Sequence, residues 1–320
     1  MKISVLVSTH NDEDYIGQCL QSVLDSNCDN YEIIICDDCS TDDTKKQIEK
    51  YNNYENIKCI YNKKNMGISY VRNKLIEEST GDYFIFVDGD DIISSDLLKT
   101  IQSNIHKLNT PDIIHYNIVT VENEVKKSGN CCVFDNLNGE DAFIELFVNH
   151  YNIADSMCTY AIKRDYFVKL KYKFLEGTVH EDFRITPLMV LRAKNVASIN
   201  FDGYFYIKRN NSITTKRNDD YLVKRTKDMI LHYQFQLSEI RKLDVNNAKA
   251  KHLFLNFISN SIITSLSKIS RLNRKKTITK ELLKSLKNNI HPQTFKERIK
   301  KIILYINIEI YILLICNRGK

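Results

Sequence analysis

Four clusters of small polar and acidic residues punctuate the N-terminal part of the chain, each directly after a short apolar run. They are Ser8-Thr9-His10-Asn11, Asp37-Asp38-Cys39-Ser40-Thr41-Asp42, Asn65-Met66-Gly67 and Asp88-Gly89-Asp90-Asp91. The last is the sharpest. Asp88 and Asp90 flank a glycine that lets the backbone turn tightly, so both carboxylates can face one ligand. Hard cations such as Mg²⁺ and Mn²⁺ take oxygen ligands, and Mg²⁺ commonly uses one or two carboxylates together with substrate phosphates. Taken alone the stretch also fits an ordinary acidic turn. A calcium loop is disfavoured, because the repeated D-x-D-x-D-G spacing with its closing glutamate is missing. No G-x-G-x-x-G follows the first apolar run and no G-x-x-x-x-G-K-[ST] is present, which disfavours dinucleotide oxidoreductases and P-loop nucleotidases. Phosphate would have to be held by a metal and side chains.

The elements that position these clusters read as alternating strands and helices. Ile3 to Val7, Ile33 to Cys36, Ile57 to Tyr61 and Tyr83 to Val87 are β-type apolar runs. Between and after them come helical patterns: Tyr15 to Leu24, Thr41 to Tyr51, a stretch through Val71 and Leu75, and Ser94 to Leu108. Such alternation implies right-handed βαβ units and a largely parallel sheet. In an open α/β sheet, ligands bind beyond the carboxyl ends of the strands, so the four clusters are expected to meet at one crevice. After Pro111 the pattern is mixed: a strand over Ile113 to Val121, a helix over Gly139 to Asn149, and short strands over Val196 to Asn200 and Gly203 to Ile207. From about Asp219 the chain reads as helical, with no glycine between Gly203 and Gly319. The expected division is residues 1–215 and a helical region over 216–320.

With 320 residues, 43% of them apolar and 27% charged, the chain has the make-up of a soluble folded protein. Its net charge of +6 is uneven, with acids concentrated in the first two hundred positions and lysine and arginine dominating after Lys208. That asymmetry points to an anionic partner for the C-terminal part. Nucleic acid is disfavoured, since no binding motif or interleaved aromatic pattern accompanies the basic residues. Ile302 to Cys316 is strongly apolar but carries Asn307 and Glu309 and follows basic residues from Lys268 to Lys301. It is too short and polar to span a bilayer. It reads equally as an amphipathic helix on an anionic membrane surface and as a core or homo-oligomer interface helix. The nine cysteines lack zinc-finger spacing. With no targeting peptide visible before the first strand, they read as reduced thiols of a cytoplasmic protein, possible contact with the inner face of the plasma membrane included.

Taken in order, S-V-L-V-S-T-H-N (Ser4 to Asn11), I-I-I-C-D-D-C-S-T-D (Ile33 to Asp42), N-M-G-I-S-Y-V-R-N (Asn65 to Asn73), G-D-Y-F-I-F-V-D-G-D-D (Gly81 to Asp91) and H-E-D-F (His180 to Phe183) form a series. It resembles the inverting family 2 glycosyltransferases of the GT-A fold, of the bacterial capsule and surface-polysaccharide type, over roughly residues 1–215. The resemblance implies a Rossmann-like, mostly parallel α/β sheet that binds a nucleotide-diphosphate sugar, with UDP as the family default, and Mn²⁺ or Mg²⁺. It implies Ser8 and Asp38 on the nucleobase, Asp88 near ribose and metal, and Asp90 as the principal metal ligand. Thr9, Asn11, Asn65 and Gly67 complete the donor-binding candidates. Arg72, in the matching A-R-N segment, is a diphosphate candidate, with helix packing or a surface ion pair as the alternative.

By the same resemblance Asp182 is the base that takes the acceptor hydroxyl proton and Glu181 orients the acceptor or a neighbouring side chain, a chemistry that suits a positioned carboxylate. Acids decorating a helix N-terminus are the competing reading. Tyr204 to Ile213 resembles a Y-x-Y-x-x-R-x-x-S-I segment, which makes Arg209 a candidate for the leaving diphosphate, with Lys208 as its rival. Two departures stand out: His10 replaces a usual tyrosine, and Cys39 replaces a common glycine. The implied activity is sugar transfer to a glycan or lipid-linked acceptor. The alternatives are sugar-phosphate nucleotidylyl transfer, for which Ile3 to Asn11 lacks the glycine-rich loop, and a non-catalytic nucleotide-sugar-binding protein.

Overall fold

The computed structural model describes residues 1–123, 125–129, 132–149, 156–208, 219–243 and 245–270. The chain divides into two compact units, residues 1–210 and 211–320. Arg209 and the apolar stretch Ile302 to Cys316 lie outside the described residues.

The first unit is built on strands β1 (Ile3–Thr9), β2 (Tyr31–Asp37), β3 (Ile57–Tyr61) and β4 (Tyr83–Asp88), joined by helices α1 (Ile16–Leu24), α2 (Thr44–Glu49) and α3 (Ile68–Glu78). All seven residues of β1 are buried, as expected of a parallel strand covered on both faces. Helix α1 turns Ile16, Cys19, Leu20 and Val23 inward, an i, i+3, i+4, i+7 stripe that needs one apolar partner face. Short β5 (Ile92–Ile93) precedes helix α4 (Leu97–Lys107), which buries Leu97, Leu98, Ile101 and Ile105 in the same manner.

The remaining strands are β6 (Ile113–Glu122), β7 (Val125–Ser128), β8 (Phe134–Leu137), β9 (Tyr160–Lys163) and β10 (Val196–Ile207), with helices α5 (Gly139–Phe143), α6 (Arg164–Leu170) and α7 (Glu181–Arg192). The main sheet runs β3-β2-β1-β4-β9-β6-β10-β5. β3, β2, β1 and β4 are mutually parallel, while β9 enters antiparallel between β4 and β6. The chain therefore winds outward from β1 through β2 to β3, then returns to β4 on the other side of β1. Strand order reverses there, and this is the switch point at which open α/β sheets bind ligands.

Two elements differ from the sequence reading. The helix expected over Gly139 to Asn149 is α-helical only to Phe143 and continues as a π-helical turn, Ile144–Asn149. The two strands expected on either side of Gly203 are one strand, β10, whose register against β6 shifts between Ser198 and Tyr204. Asn117 Nδ2 donates to Asn200 Oδ1 at 3.0 Å and Asp202 Oδ1 at 3.1 Å, and Ser128 Oγ donates to Asp202 Oδ1 at 2.8 Å. These bonds satisfy polar side chains that would otherwise end a strand.

Beneath the parallel half, Phe84 meets Phe86 and Phe167 edge-to-face, and Phe86 meets Phe174 likewise, with centroids 5.5 to 6.0 Å apart. Each such pair adds about 0.5–1.5 kcal/mol beyond area burial, which anchors the segment after α6 under β4. In the second unit, α8 (Asp219–Lys242) and α9 (Ala248–Ser270) pack together. Val223, Ile230, Leu237 and Ile240 of α8 are buried, as are Ala250, Phe254, Ile258 and Ile262 of α9. Among the described residues no helix is long and apolar enough to cross a membrane.

Candidate active site

The register of the parallel strands dictates where the acidic motif falls. Ser8 of β1 is the direct neighbour of Cys36 on one side and of Asp88 on the other. Ser8 Oγ donates to Asp88 Oδ1 at 3.0 Å, and Gly89 N donates to Ser8 O at 2.8 Å. Gly89 is not required for a left-handed turn. A Cβ there would lie 2.8 Å from Thr9 Cβ, so the glycine is needed because the acidic loop lies directly on the end of β1. Thr9 Oγ1 in turn donates to buried Asp12 at 2.8 Å, leaving Thr9 as a brace of that contact.

Asp38, directly after β2, is 4% exposed and accepts from Asn62 Nδ2 at 2.7 Å, Met66 N at 2.8 Å and Gly67 N at 2.7 Å. Its carboxylate thereby holds the turn that leads into α3, where Gly67 has φ +84°, a conformation that suits glycine. Asn11 also has positive φ, +57°. Its N–H donates to Ser40 Oγ at 2.9 Å and its Oδ1 accepts from Thr41 N at 2.8 Å. That bond fixes the amide orientation, so Asn11 Nδ2 faces His10 Nε2 at 3.2 Å while Asn65 Nδ2 faces the same nitrogen at 3.1 Å. Two amide donors converge there, so Nε2 is the acceptor. His10 thus joins the β1 and β3 loops. Cys39 adopts φ +60°, the left-handed geometry implied by a glycine-like position.

At the other end of the motif, Asp91 is 2% exposed. It accepts from the Tyr204 hydroxyl at 2.6 Å and Ile207 N at 2.8 Å, while Asp88 N donates to that hydroxyl at 3.2 Å. Burial first, then the charge of Asp88, pushes Asp91 up to about 8. Asp91 and Tyr204 were not singled out by motif reasoning as site-building residues, although Asp91 is the fourth member of D-G-D-D.

Helix α7 begins at Glu181, preceded by His180 at φ +57°, and carries Glu181 and Asp182 in its first turn. The two acids therefore do sit at a helix N-terminus, where the helix dipole favours negative charge. That position is compatible with chemistry. The Glu181 side chain is 7% exposed and that of Asp182 22% exposed. Burial raises both carboxyls, opposed at each by Arg72, with Asp182 adding to the rise at Glu181. Asp182 is the more accessible of the pair.

Arg72, for which donor phosphates, helix packing and a surface ion pair were the options, is buried. Its Nη2 lies 3.2 Å from Asp88 Oδ1, and its Nη1 lies 2.8 Å from Glu181 Oε1 and 4.0 Å from Asp182 Oδ2. The Nη1 contact is an ion pair without hydrogen-bond alignment. Cys158, 2% exposed, brings its thiol 3.6 Å from Asp88 Oδ2, and burial raises that thiol well above its ordinary range, so it is a neutral neighbour.

The set Ser8, Thr9, Asn11, Asp38, Asn65, Gly67, Arg72, Asp88, Glu181 and Asp182 is thus one network, built from a strand end, two loops and two helix starts. Asp90 is half-buried beside it in the same loop. Among the described residues no group of three or more His, Cys, Asp or Glu side chains forms a metal cage. Two hard carboxylates without a cage fit Mg²⁺ or Mn²⁺ completed by phosphate oxygens and water.

The sequence model of glycosyl transferase family 2 matches residues 4–170. The cholesterol galactosyltransferase of Borreliella burgdorferi is 30% identical over 217 residues, which cover 64% of this chain and 59% of that protein. The chain thus spans less than two thirds of that relative's length. The crystal structure of residues 1–349 of S. aureus TarS in complex with UDP-GlcNAc superposes with a TM-score of 0.82 at 20% identity, covering 99% of this chain and 90% of that one. A mannosyltransferase from Pyrobaculum calidifontis in complex with GDP-Man and Mn²⁺ gives a TM-score of 0.54 at 12% identity, covering 98% of this chain and 84% of that one. At these identities the likenesses establish the GT-A type of α/β fold. With the match covering more than half of its length, the chain belongs to glycosyl transferase family 2.

Proposed function

We propose that the chain is an inverting glycosyltransferase that moves a sugar from a nucleotide-diphosphate donor, UDP being the working choice, to a glycan or lipid-linked acceptor in surface-polysaccharide synthesis. One observation carries this reading: Asp88 of the β4 loop and Asp182 of α7 flank a single guanidinium, at 3.2 and 4.0 Å. A donor-binding carboxylate and a separate, partly accessible carboxylate are then adjacent across one crevice. The relatives named as a cholesterol galactosyltransferase and as TarS in complex with UDP-GlcNAc support the substrate class.

In this reading the nucleobase end is Ser8, Thr9, Asn11, Asp38, Asn65 and Gly67, where loops already braced by hydrogen bonds need little ordering on binding. Asp90, with Asp88, would hold Mn²⁺ or Mg²⁺, which when bound neutralises charge developing on the leaving diphosphate. Arg209 is the further candidate for those phosphates. Asp182 accepts the proton of the acceptor hydroxyl as its oxygen forms a bond to the anomeric carbon. The bond from that carbon to the phosphate oxygen breaks on the opposite face, so the configuration inverts. A lipid-linked acceptor would bring the enzyme to the inner face of the plasma membrane, where the basic stretch Lys268 to Lys301 offers an anionic-surface contact.

A donor panel tests the proposal. Purified protein with Mn²⁺ or Mg²⁺ is expected to release nucleoside diphosphate from at least one UDP-sugar in the presence of acceptor, and chelation is expected to stop it. Failure of every UDP-, GDP- and TDP-sugar with folded protein would sink the reading.

A further inference from the structure

One face of α3 holds the segment that carries the base. Ser69, Arg72 and Asn73 follow i, i+3, i+4 spacing and so point the same way. Asn73 Nδ2 donates to Phe174 O at 2.9 Å and Asn73 Oδ1 accepts from Phe174 N at 2.9 Å. Ser69 Oγ lies 3.5 Å from Thr178 O. Arg72, 4% exposed, reaches Glu181 and Asp182, and its guanidinium stands over the rings of Phe86 and Phe174 at 5.3 and 5.9 Å. The N-terminus of the same helix, one turn before Arg72, is held by Asp38, which accepts from Met66 N and Gly67 N. A planar guanidinium can meet several carboxylates and stack on aromatic faces at once, which an ammonium cannot.

We propose that α3 is a strut between the donor pocket and the acceptor base, with Arg72 and Asn73 as the positioning residues that fix Asp182 relative to Asp88. Resting on the glycosyltransferase reading, this moves Arg72 away from the donor phosphates. Its charge is committed to Asp88, Glu181 and Asp182, and its guanidinium is held over the Phe86 and Phe174 rings. Misplacing a reacting group by about 1 Å can cost about 10²-fold in rate, so loosening the strut falls on turnover more than on nucleotide affinity.

Two variants of the full chain, Arg72→Lys and Asn73→Ala, test the strut by two readouts. The first needs no turnover: hydrogen exchange of the amides from Phe174 to Phe183 is expected to quicken at least tenfold in each variant, while those of β1 and β4 stay as in wild type. Unchanged exchange in that segment in both variants would overturn the strut. The second readout uses calorimetry with UDP and Mn²⁺ together with transfer kinetics. UDP affinity is expected to stay within tenfold while kcat falls tenfold or more, and combining Arg72→Lys with Asp182→Asn is expected to add nothing to the loss from Asp182→Asn alone. A tenfold or greater loss of UDP affinity, or a loss that multiplies with Asp182→Asn, would overturn the assignment. Should Arg72→Lys not fold, Asn73→Ala carries both readouts. A wild type that transfers from no donor would instead count against the glycosyltransferase reading, and the exchange result would still judge the strut.

Discussion

The Tyr204 hydroxyl donates to Asp91 Oδ2 at 2.6 Å, between residues 113 apart in sequence, and accepts from Asp88 N. One phenol thus ties the end of the sheet's second half to the acidic loop after β4. It also supplies one of two donors to a carboxyl that burial has pushed up to about 8. Removing the hydroxyl leaves that buried group short of a partner. Tyr204→Phe is expected to lower stability by about 1–3 kcal/mol, read as a shift of the denaturant midpoint at unchanged slope. A midpoint equal to wild type would show that the hydroxyl carries no such load.

Gly89 gives a second, sharper expectation. A methyl at this position would press to 2.8 Å on Thr9 Cβ and Oγ1. Gly89→Ala should cost about 1–3 kcal/mol by overpacking and displace Asp88 and Asp90, so Mn²⁺-dependent UDP binding should fall as well. Gly17→Ala is the control: it lies in α1 with nothing within 4 Å of the added carbon, and it should gain about 0.5 kcal/mol from helix propensity. Calorimetry and denaturant melts on the two proteins separate crowding from any general effect of replacing glycine.

Much of this site is legible in the sequence. The four parallel strands β1 to β4 are continuous apolar runs, and the polar residues that break those runs at their carboxyl ends are the ones that meet. What was not legible depends on non-local pairing. β9 is four residues long and has no pattern of its own; its place between β4 and β6 is set by partners at Tyr83 and Ile113. The continuity of β10 depends on Asn117 and Ser128 satisfying Asn200 and Asp202 from other strands. Arg72 presented three options in sequence, and only the placement of Phe86, Phe174 and Glu181 around it distinguishes burial from exposure. The glycine of D-G-D was legible as a requirement, but its reason, close approach and not a turn, was not.

Stability should depend on acid through Glu32. Against the upward push of burial, Lys2, Ser4 and Thr80 hold its carboxyl down at about 2, with Lys2 Nζ 2.7 Å away. A depressed carboxyl contributes stability above its unfolded value of about 4.3, and that contribution is lost as pH falls through about 2. With its partial exposure discounted, Glu32→Gln should cost about 1–2 kcal/mol at pH 7 and flatten the loss of stability between pH 4.5 and 2. Thermal melts across that range in both proteins check the sign.

The rate should fall on acidification as it would for an exposed aspartate base, but at higher pH. Asp182 must be ionised to accept a proton, and burial raises it above the ordinary aspartate value of about 3.9. Turnover is therefore expected to fall as pH drops, with its acid limb displaced upward from that of an exposed aspartate, at fixed saturating Mn²⁺. An acid limb no higher than that of an exposed aspartate would argue against Asp182 as the proton acceptor.

Donor binding and proton removal belong to separate residues in this site, and Asp182→Asn tests that separation directly. The substitution keeps the shape and removes the base, so UDP affinity measured with Mn²⁺ should stay within about threefold of wild type. Transfer should fall by about 10²–10⁴-fold, the contribution typical of a general base. Transfer at or near the wild-type rate in Asp182→Asn, with UDP bound normally, would contradict the account.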